Sequence, residues 1–204
     1  MAPSSTPSSE TTSPAPATDV HPLLAARWSP RAFDSAAELT VEQEFRLLEA
    51  ARWAPSASNS QPWRFLVARR GEASFDTLFA SLAPGNKLWA GSAAALLLAA
   101  AQTMDAEGNQ HPWAAYDLGQ AIAHLSVQAE HEGLSVHQMG GFDRDAVSNT
   151  VDLPKGVEPF VLVALGVRAP ATVLPEALAA REVGPRSRRP VNELLLDQGG
   201  HDVN

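Results

Sequence analysis

Apolar residues at helical spacing predict a first helix that begins after Thr40. Thr40 is a good N-cap residue, and Gln43, three residues later, completes the pattern of a capping box. Pro55 ends the helix near Trp53, because the residue before a proline avoids the helical region. The apolar stripe expected to face the core consists of Phe45, Leu48 and Ala51.

A second, longer helix is predicted from about Trp113 to Glu132, and a shorter one over residues 72–82. Gly133 directly after the long helix is well placed to end it in a left-handed conformation. The apolar face of the long helix consists of Leu118, Ile122, Leu125 and Ala129.

Runs of apolar and β-branched residues predict strands at Trp63–Arg69, Ser135–Met139 and Phe160–Val167. The stretch Ser92–Gln102 is ambiguous, because its alanines and leucines favour a helix while the run is short and follows Gly91. Together these elements predict a mixed α+β domain.

The two ends of the chain differ in composition from its middle. The first twenty residues contain thirteen Ser, Thr or Pro, and such a segment buries too little apolar area to fold, so residues 1–20 are predicted to be a disordered leader. This leader has neither the basic start nor the apolar stretch of a secretory signal. The folded domain is expected over residues 21–204, and its last forty residues are read as an extended tail with a short terminal helix.

The overall composition excludes several classes of protein. The 204-residue chain has no cysteine, which rules out disulfides, thiolate metal sites and cysteine nucleophiles. Its formal net charge of -8 argues against nucleic-acid binding, which needs a basic surface. No apolar run approaches the ~20 residues that span a bilayer. A soluble protein in the cytoplasm, without membrane or nucleic-acid partners, is therefore expected.

Arginines are concentrated in two short segments of this acidic chain. Arg27 and Arg31 flank Ser29 near one end, and Arg186, Arg188 and Arg189 lie together near the other. The guanidinium group presents a planar fork of donors that matches phosphate oxygens, so the two clusters suggest one small anionic ligand. Two solvated surface patches are the alternative reading.

Four motifs occur in a fixed order along the chain: RWSPRAFD, PSASNSQPW from Pro55 to Trp63, GFD at Gly141 to Asp143, and RSRRP from Arg186. Together they resemble the nitroreductase family of FMN-dependent flavoproteins. The resemblance covers residues 23 to about 196. The second motif matches without a gap, and its position between the other three makes the resemblance specific.

The resemblance implies a role for each matching residue. The FMN phosphate and ribityl chain would be held by Arg27, Ser29, Arg31, Arg186 and Arg188. A loop from the other subunit of a homodimer would line the flavin with Pro55, Ser56, Ala57 and Asn59. The isoalloxazine ring near its reactive N5 would lie against Gly140 and Gly141, and its pyrimidine edge would meet Asn86. Where this chain has Gly140, other members of the family often carry glutamate, so a charge near the flavin is missing.

The family fold is a central, mainly antiparallel sheet flanked by helices, in an intertwined homodimer with FMN sites at its interface. It therefore favours a strand over a helix for Ala93 to Ala101, against local propensity. It also implies that the segment after Pro170 is an arm that reaches onto the partner.

The activity that the resemblance implies is hydride transfer from NAD(P)H, a transient electron donor, through flavin N5 to a nitroaromatic, a quinone or a similar small acceptor, by a ping-pong mechanism. No side chain is expected to be catalytic, since the flavin carries the chemistry. A flavoenzyme of the same superfamily with another reaction (dehalogenation, flavin fragmentation or heterocycle oxidation) and a non-catalytic FMN-binding protein are the alternatives. The spacing of His124, His131 and His137 does not fit a metal site.

Overall fold

Residues 20–196 are described by a computed structural model, so the predicted leader lies outside the described residues except for Val20. One antiparallel sheet contains four strands in the order β1-β2-β4-β3. They are β1 (Trp63–Arg69), β2 (Ala95–Gln102), β3 (Ser135–Met139) and β4 (Val157–Gly166). The predicted bounds of β1 and β3 are confirmed.

The central strand β2 is the stretch whose sequence was ambiguous. It pairs with β1 on one side and β4 on the other, so both of its edges are satisfied by backbone hydrogen bonds. Leu97 and Ala99 point into one core while Leu96 and Leu98 point into the other. Burial of both faces makes a strand apolar at every position, which removes the alternation that would have revealed it.

The described part of the chain contains seven helices. Helices α2 and α5 pack on one face, and α3 and α6 on the other. Their bounds are α1 (Pro22–Ala26), α2 (Val41–Arg52), α3 (Ala73–Ser81), α4 (Pro84–Lys87), α5 (Ala114–His131), α6 (Arg144–Thr150) and α7 (Glu176–Glu182). The architecture is therefore α+β, a four-stranded antiparallel sheet flanked by helices, as predicted. Among residues 20–196, no helix is both long and apolar enough to cross a bilayer.

The structure confirms the caps of α2 and α5 and corrects the predicted inner face of α2. Thr40 and Gln43 form the capping box, and Gly133 follows α5 with a φ of +71°. The predicted face of α5 is fully buried. In α2, however, the buried residues include Leu47 beside Ala51, whereas Phe45 is 68% exposed. The helix is rotated relative to the prediction, because burial is decided by how α2 packs on α5.

After β4 the chain runs along the surface. It forms a short 3-10 turn at Ala171–Val173, then α7, and then extended backbone up to a last 3-10 turn at Val191–Leu194. Leu194, Leu195 and Leu196 at the end of the described residues are exposed.

Candidate functional site

The two arginine-bearing segments from opposite ends of the chain lie side by side. The Arg186 guanidinium donates to the backbone carbonyls of Ala25, at 2.7 Å, and Arg27, at 3.1 Å. It also lies 5.8 Å from the ring centroid of Trp28. Because these hydrogen bonds are made to backbone carbonyls, they do not depend on the side chains of residues 25–28. Arg186 therefore joins the carboxyl-terminal arm to the backbone of these residues.

The guanidinium groups of Arg186 and Arg188 lie close enough to Arg27 to affect its pKa. Burial lowers the pKa of Arg27, and the charges of Arg186 and Arg188 lower it further, while Glu130 acts in the opposite direction. Arg27 donates to the Ser29 hydroxyl at 3.2 Å, which places a neutral polar group beside the cluster. Like charges held together in this way repel, so the cluster is a favourable place for an anion.

The backbone of Arg31, four residues after Arg27, contacts a buried carboxylate that the local sequence pattern does not reveal. Glu182, at the end of α7, accepts hydrogen bonds from the backbone N–H groups of Arg31 and Ala32. Its side chain is only 6% exposed, and its Oε2 lies 3.9 Å from Nη1 of Arg31. A glutamate among arginines in a helix resembles a solvated residue, so nothing in the local sequence revealed its burial.

His137 connects the same segment to β3. Its Nδ1 lies 2.9 Å from the carbonyl oxygen of Pro30, and its ring packs 4.5 Å from that of Trp89. Since a carbonyl only accepts, the proton of a neutral His137 is on Nδ1. Burial lowers the pKa of His137, and Arg31 contributes in the same direction.

β3 is followed directly by Gly140 and Gly141, the pair that the family resemblance predicts to lie against the isoalloxazine ring. The carbonyl oxygen of Gly141 accepts from the backbone N–H of Ala83 at 2.9 Å and from the Asn86 side-chain amide at 3.1 Å. Asn86 and Gly141 are thus in contact, and the Asn86 amide oxygen is left to accept. A Cβ on Gly140 would meet no atom within 4 Å, so open space lies beside it.

The loop that carries the PSASN motif adopts an unusual backbone. Ser58, Asn59 and Gln61 have φ values of 51°, 57° and 47°. These values lie in the left-handed region of backbone conformation, which residues other than glycine rarely occupy. The loop closes on itself, because the Gln61 N–H donates to Ser56 Oγ and the Gln61 amide donates to the Asn59 side chain. Asn59 and Pro55 are exposed. Backbone strain of this kind persists only where the surroundings fix it.

A buried aspartate attaches the loop to the start of α5. The Ala57 N–H donates to Oδ2 of Asp117 at 3.1 Å, and Asp117 is 2% exposed. Arg27, by contrast, lies near Glu130 at the other end of α5. At 1.5 Å per helical residue, Asp117 and Glu130 are about 20 Å apart. Within one chain, the loop and the arginine cluster therefore lie at opposite ends of α5.

An apolar groove of about 740 Å³ opens between α1, α2 and α5. Its apolar lining is exposed, with Phe45 68%, Trp53 72% and Leu24 54% accessible. Large aromatic side chains are seldom left this accessible in a contiguous patch of a monomer.

The chain is similar in sequence and in fold to known proteins. A solved structure of an oxidoreductase containing FMN is 35% identical, covers 90% of this chain and 94% of its own, and has a TM-score of 0.84. An uncharacterised 15.4 kDa protein of Mycolicibacterium smegmatis is 37% identical over 65% of this chain and 94% of its own. An oxygen-insensitive NAD(P)H nitroreductase of Salmonella typhimurium is 37% identical over 26% of this chain and 25% of its own. The sequence model of the nitroreductase family matches residues 24–167, and the chain belongs to this family.

Proposed function

We propose that the protein is an FMN-dependent oxidoreductase that passes a hydride from NAD(P)H through flavin N5 to a nitroaromatic, a quinone or a similar acceptor, by a ping-pong mechanism. The observation that carries the proposal is the convergence of Arg27, Arg186 and Arg188 from opposite ends of a family member's chain. The similar structure that contains FMN and the NAD(P)H nitroreductase of Salmonella typhimurium support the choice of cofactor and electron donor.

The residues at the arginine cluster fit a phosphate group. Guanidinium groups supply paired N–H donors, and the Ser29 hydroxyl, from a residue between Arg27 and Arg31 in sequence, accepts from Arg27 at 3.2 Å. Burial and the nearby charges of Arg186 and Arg188 lower the pKa of Arg27, and a bound anion relieves the repulsion between these charges. Arg27, Ser29, Arg31, Arg186 and Arg188 would therefore hold the phosphate and ribityl chain.

The glycine pair and Asn86 suit the flat ring system. A backbone approaches the edge of a ring closely only where no Cβ intervenes, and the space beside Gly140 is open. The Asn86 amide is oriented by its bond to Gly141, which leaves its oxygen for a ring N–H. The Pro55, Ser56, Ala57 and Asn59 loop would contribute the other wall.

That loop would come from a second copy of the chain. The loop lies near Asp117 and Arg27 lies near Glu130, and these two residues of α5 are about 20 Å apart. In a two-fold symmetric dimer, the loop of each protomer can instead face the arginines of its partner, so each site needs both copies. The exposed apolar groove between α1, α2 and α5 supplies a surface for this association.

The chain's own groups bind and orient rather than transfer protons. No described side chain near Gly140 and the arginine cluster forms a nucleophile–base pair, and the flavin, when bound, supplies hydride acceptance and donation. The backbone at Gly140 and Gly141 would hold the ring, and the arginines would hold the phosphate. The cytoplasmic location expected from the sequence remains part of this proposal.

Flavin binding is tested first. The purified protein is incubated with FMN and dialysed, and its visible absorbance is recorded. We expect a yellow protein, whereas a colourless one would refute the FMN assignment.

Electron transfer is tested next, by anaerobic reduction of the yellow protein with NADH and with NADPH, followed by a panel of nitroaromatics and quinones. Fast bleaching and fast reoxidation support the reductase. Slow bleaching with both nicotinamides despite tight FMN binding would indicate the non-catalytic alternative. Fast bleaching without reoxidation by any acceptor would indicate another flavin reaction.

A further inference from the structure

We propose that Glu182 is a positioning residue that sets the backbone of residues 25–32 so that their arginines can bind the phosphate. The inference rests on the proposed FMN function and assigns a role to a side chain outside the four sequence motifs. Its basis is the set of bonds that tie this segment to the carboxyl-terminal arm.

The carboxylate of Glu182 holds one end of the segment. It accepts from the Arg31 N–H at 2.9 and 3.1 Å and from the Ala32 N–H at 3.3 Å. These donors are backbone groups, so the bonds determine the path of the main chain. The side chain is 6% exposed, and water cannot easily replace it. Bonds to an ionised acceptor are also stronger than neutral ones.

Arg186, four residues further along the arm, holds the other end of the segment. It donates to the carbonyls of Ala25 and Arg27. One short stretch of the arm therefore offers an acceptor to the segment's N–H groups and donors to its C=O groups. His137 adds a bond to Pro30 between them, from the strand that leads to Gly140. The segment is fixed along its whole length.

A role of Glu182 as a charge and a role as a positioning residue predict opposite effects of its neutralisation on anion binding. Its carboxylate lies 3.9 Å from the Arg31 guanidinium, close to the proposed phosphate position. By charge alone, neutralising Glu182 would strengthen the binding of an anion. If its role is to position the backbone, the same change weakens binding, because the N–H groups of Arg31 and Ala32 exchange an ionised acceptor for a weaker, neutral one.

Two variants of Glu182 separate the effect of its negative charge from the effect of its side-chain length. Glu182→Gln removes the charge and keeps the length, and Glu182→Asp keeps the charge and shortens the reach by one methylene. Glu176→Gln, an exposed residue on the same helix, is the matched control for loss of one negative charge. Dissociation constants for FMN and for riboflavin, which lacks the phosphate, are measured by flavin fluorescence.

We expect both Glu182 variants to raise the Kd for FMN about tenfold, because Gln offers the Arg31 and Ala32 amides only a neutral acceptor and the Asp carboxylate ends one methylene short of them. The Kd for riboflavin should rise by a smaller factor than the Kd for FMN, because riboflavin lacks the phosphate and meets these residues only through its ribityl chain. In the flavin-free protein, the amide hydrogens of Arg31 and Ala32 should exchange faster than in the wild type and the control.

The outcomes are distinguishable. An unchanged or lower Kd for FMN in Glu182→Gln, or equal losses for FMN and riboflavin, would overturn the role of Glu182. A wild type that binds no FMN refutes the proposed function instead, and amide exchange then still reports on the segment. If Glu182→Gln does not fold, Glu182→Asp decides. Failure of both variants to fold would assign Glu182 to stability and contradict the proposal.

Discussion

Replacing Arg188 by alanine separates phosphate binding from folding. The Arg188 side chain is exposed, and its Nη1 donates only to the neighbouring Ser187 carbonyl, at 2.7 Å, among the bonds described. It nevertheless lies close enough to lower the pKa of Arg27. The fold therefore loses little in Arg188→Ala, whereas a bound phosphate loses a charge-assisted hydrogen bond of about 1.5–3 kcal/mol. That loss corresponds to about a 10- to 150-fold increase in the Kd for FMN.

The assay is a fluorescence titration of flavin-free protein with FMN at fixed ionic strength, with thermal unfolding measured in the absence of flavin. Arg189→Ala, an exposed arginine next in the chain, is the matched control and should change the Kd less than about twofold. The flavin-free Arg188→Ala protein should be as stable as the wild type or more so, because a like charge near Arg27 has gone. Equal Kd values for the two variants would show that the phosphate lies elsewhere.

Three further predictions concern His137, Asp117 and the groove. Because burial lowers the pKa of His137, this histidine binds a proton more readily in the unfolded chain than in the folded one. Its contribution to stability is therefore full above about pH 6.5 and is lost as the pH falls below that value. His137→Gln should reduce this loss, measured as the difference in the free energy of urea unfolding between pH 7.5 and pH 5. Asp117→Ala leaves the Ala57 N–H without its acceptor, so the free energy of unfolding should fall by about 1–3 kcal/mol, with a smaller loss in Asp117→Asn. Phe45→Asp should give a monomer in size-exclusion chromatography with weakened FMN binding; a dimeric variant would remove α2 from the proposed interface.

Local sequence determined the elements whose pattern follows one period. The long helix α5 and the strand β1 were predicted because one buried face, or a run of β-branched and aromatic residues, marks them. The central strand β2 was not determined in this way, because pairing on both sides and burial of both faces leave no alternation. β4 begins at Val157, before its predicted start at Phe160, because Pro159 is accommodated beside a bulge opposite Ala99 and Ala100.

The candidate site was predictable only as far as its motifs reach. The arginines at both ends of the chain were selected by their side chains and by the resemblance, and the structure brings Arg27, Arg186 and Arg188 together. Glu182 was missed because its importance comes from tertiary burial against backbone N–H groups more than a hundred residues away in sequence. The exposure of Phe45 was not predicted for a related reason. An apolar residue at helical spacing can face the core of its own chain or another molecule, and the spacing alone does not distinguish the two.

The empty volume beside Gly140 has a consequence for redesign of the protein. Since no atom of the chain stands within 4 Å of the place where a side chain would start, an acid, an amide or a base can be introduced there without rebuilding the core. A panel of substitutions at this position would change the charge beside the proposed flavin site, and would measure how that charge alters the reduction potential of FMN bound as proposed.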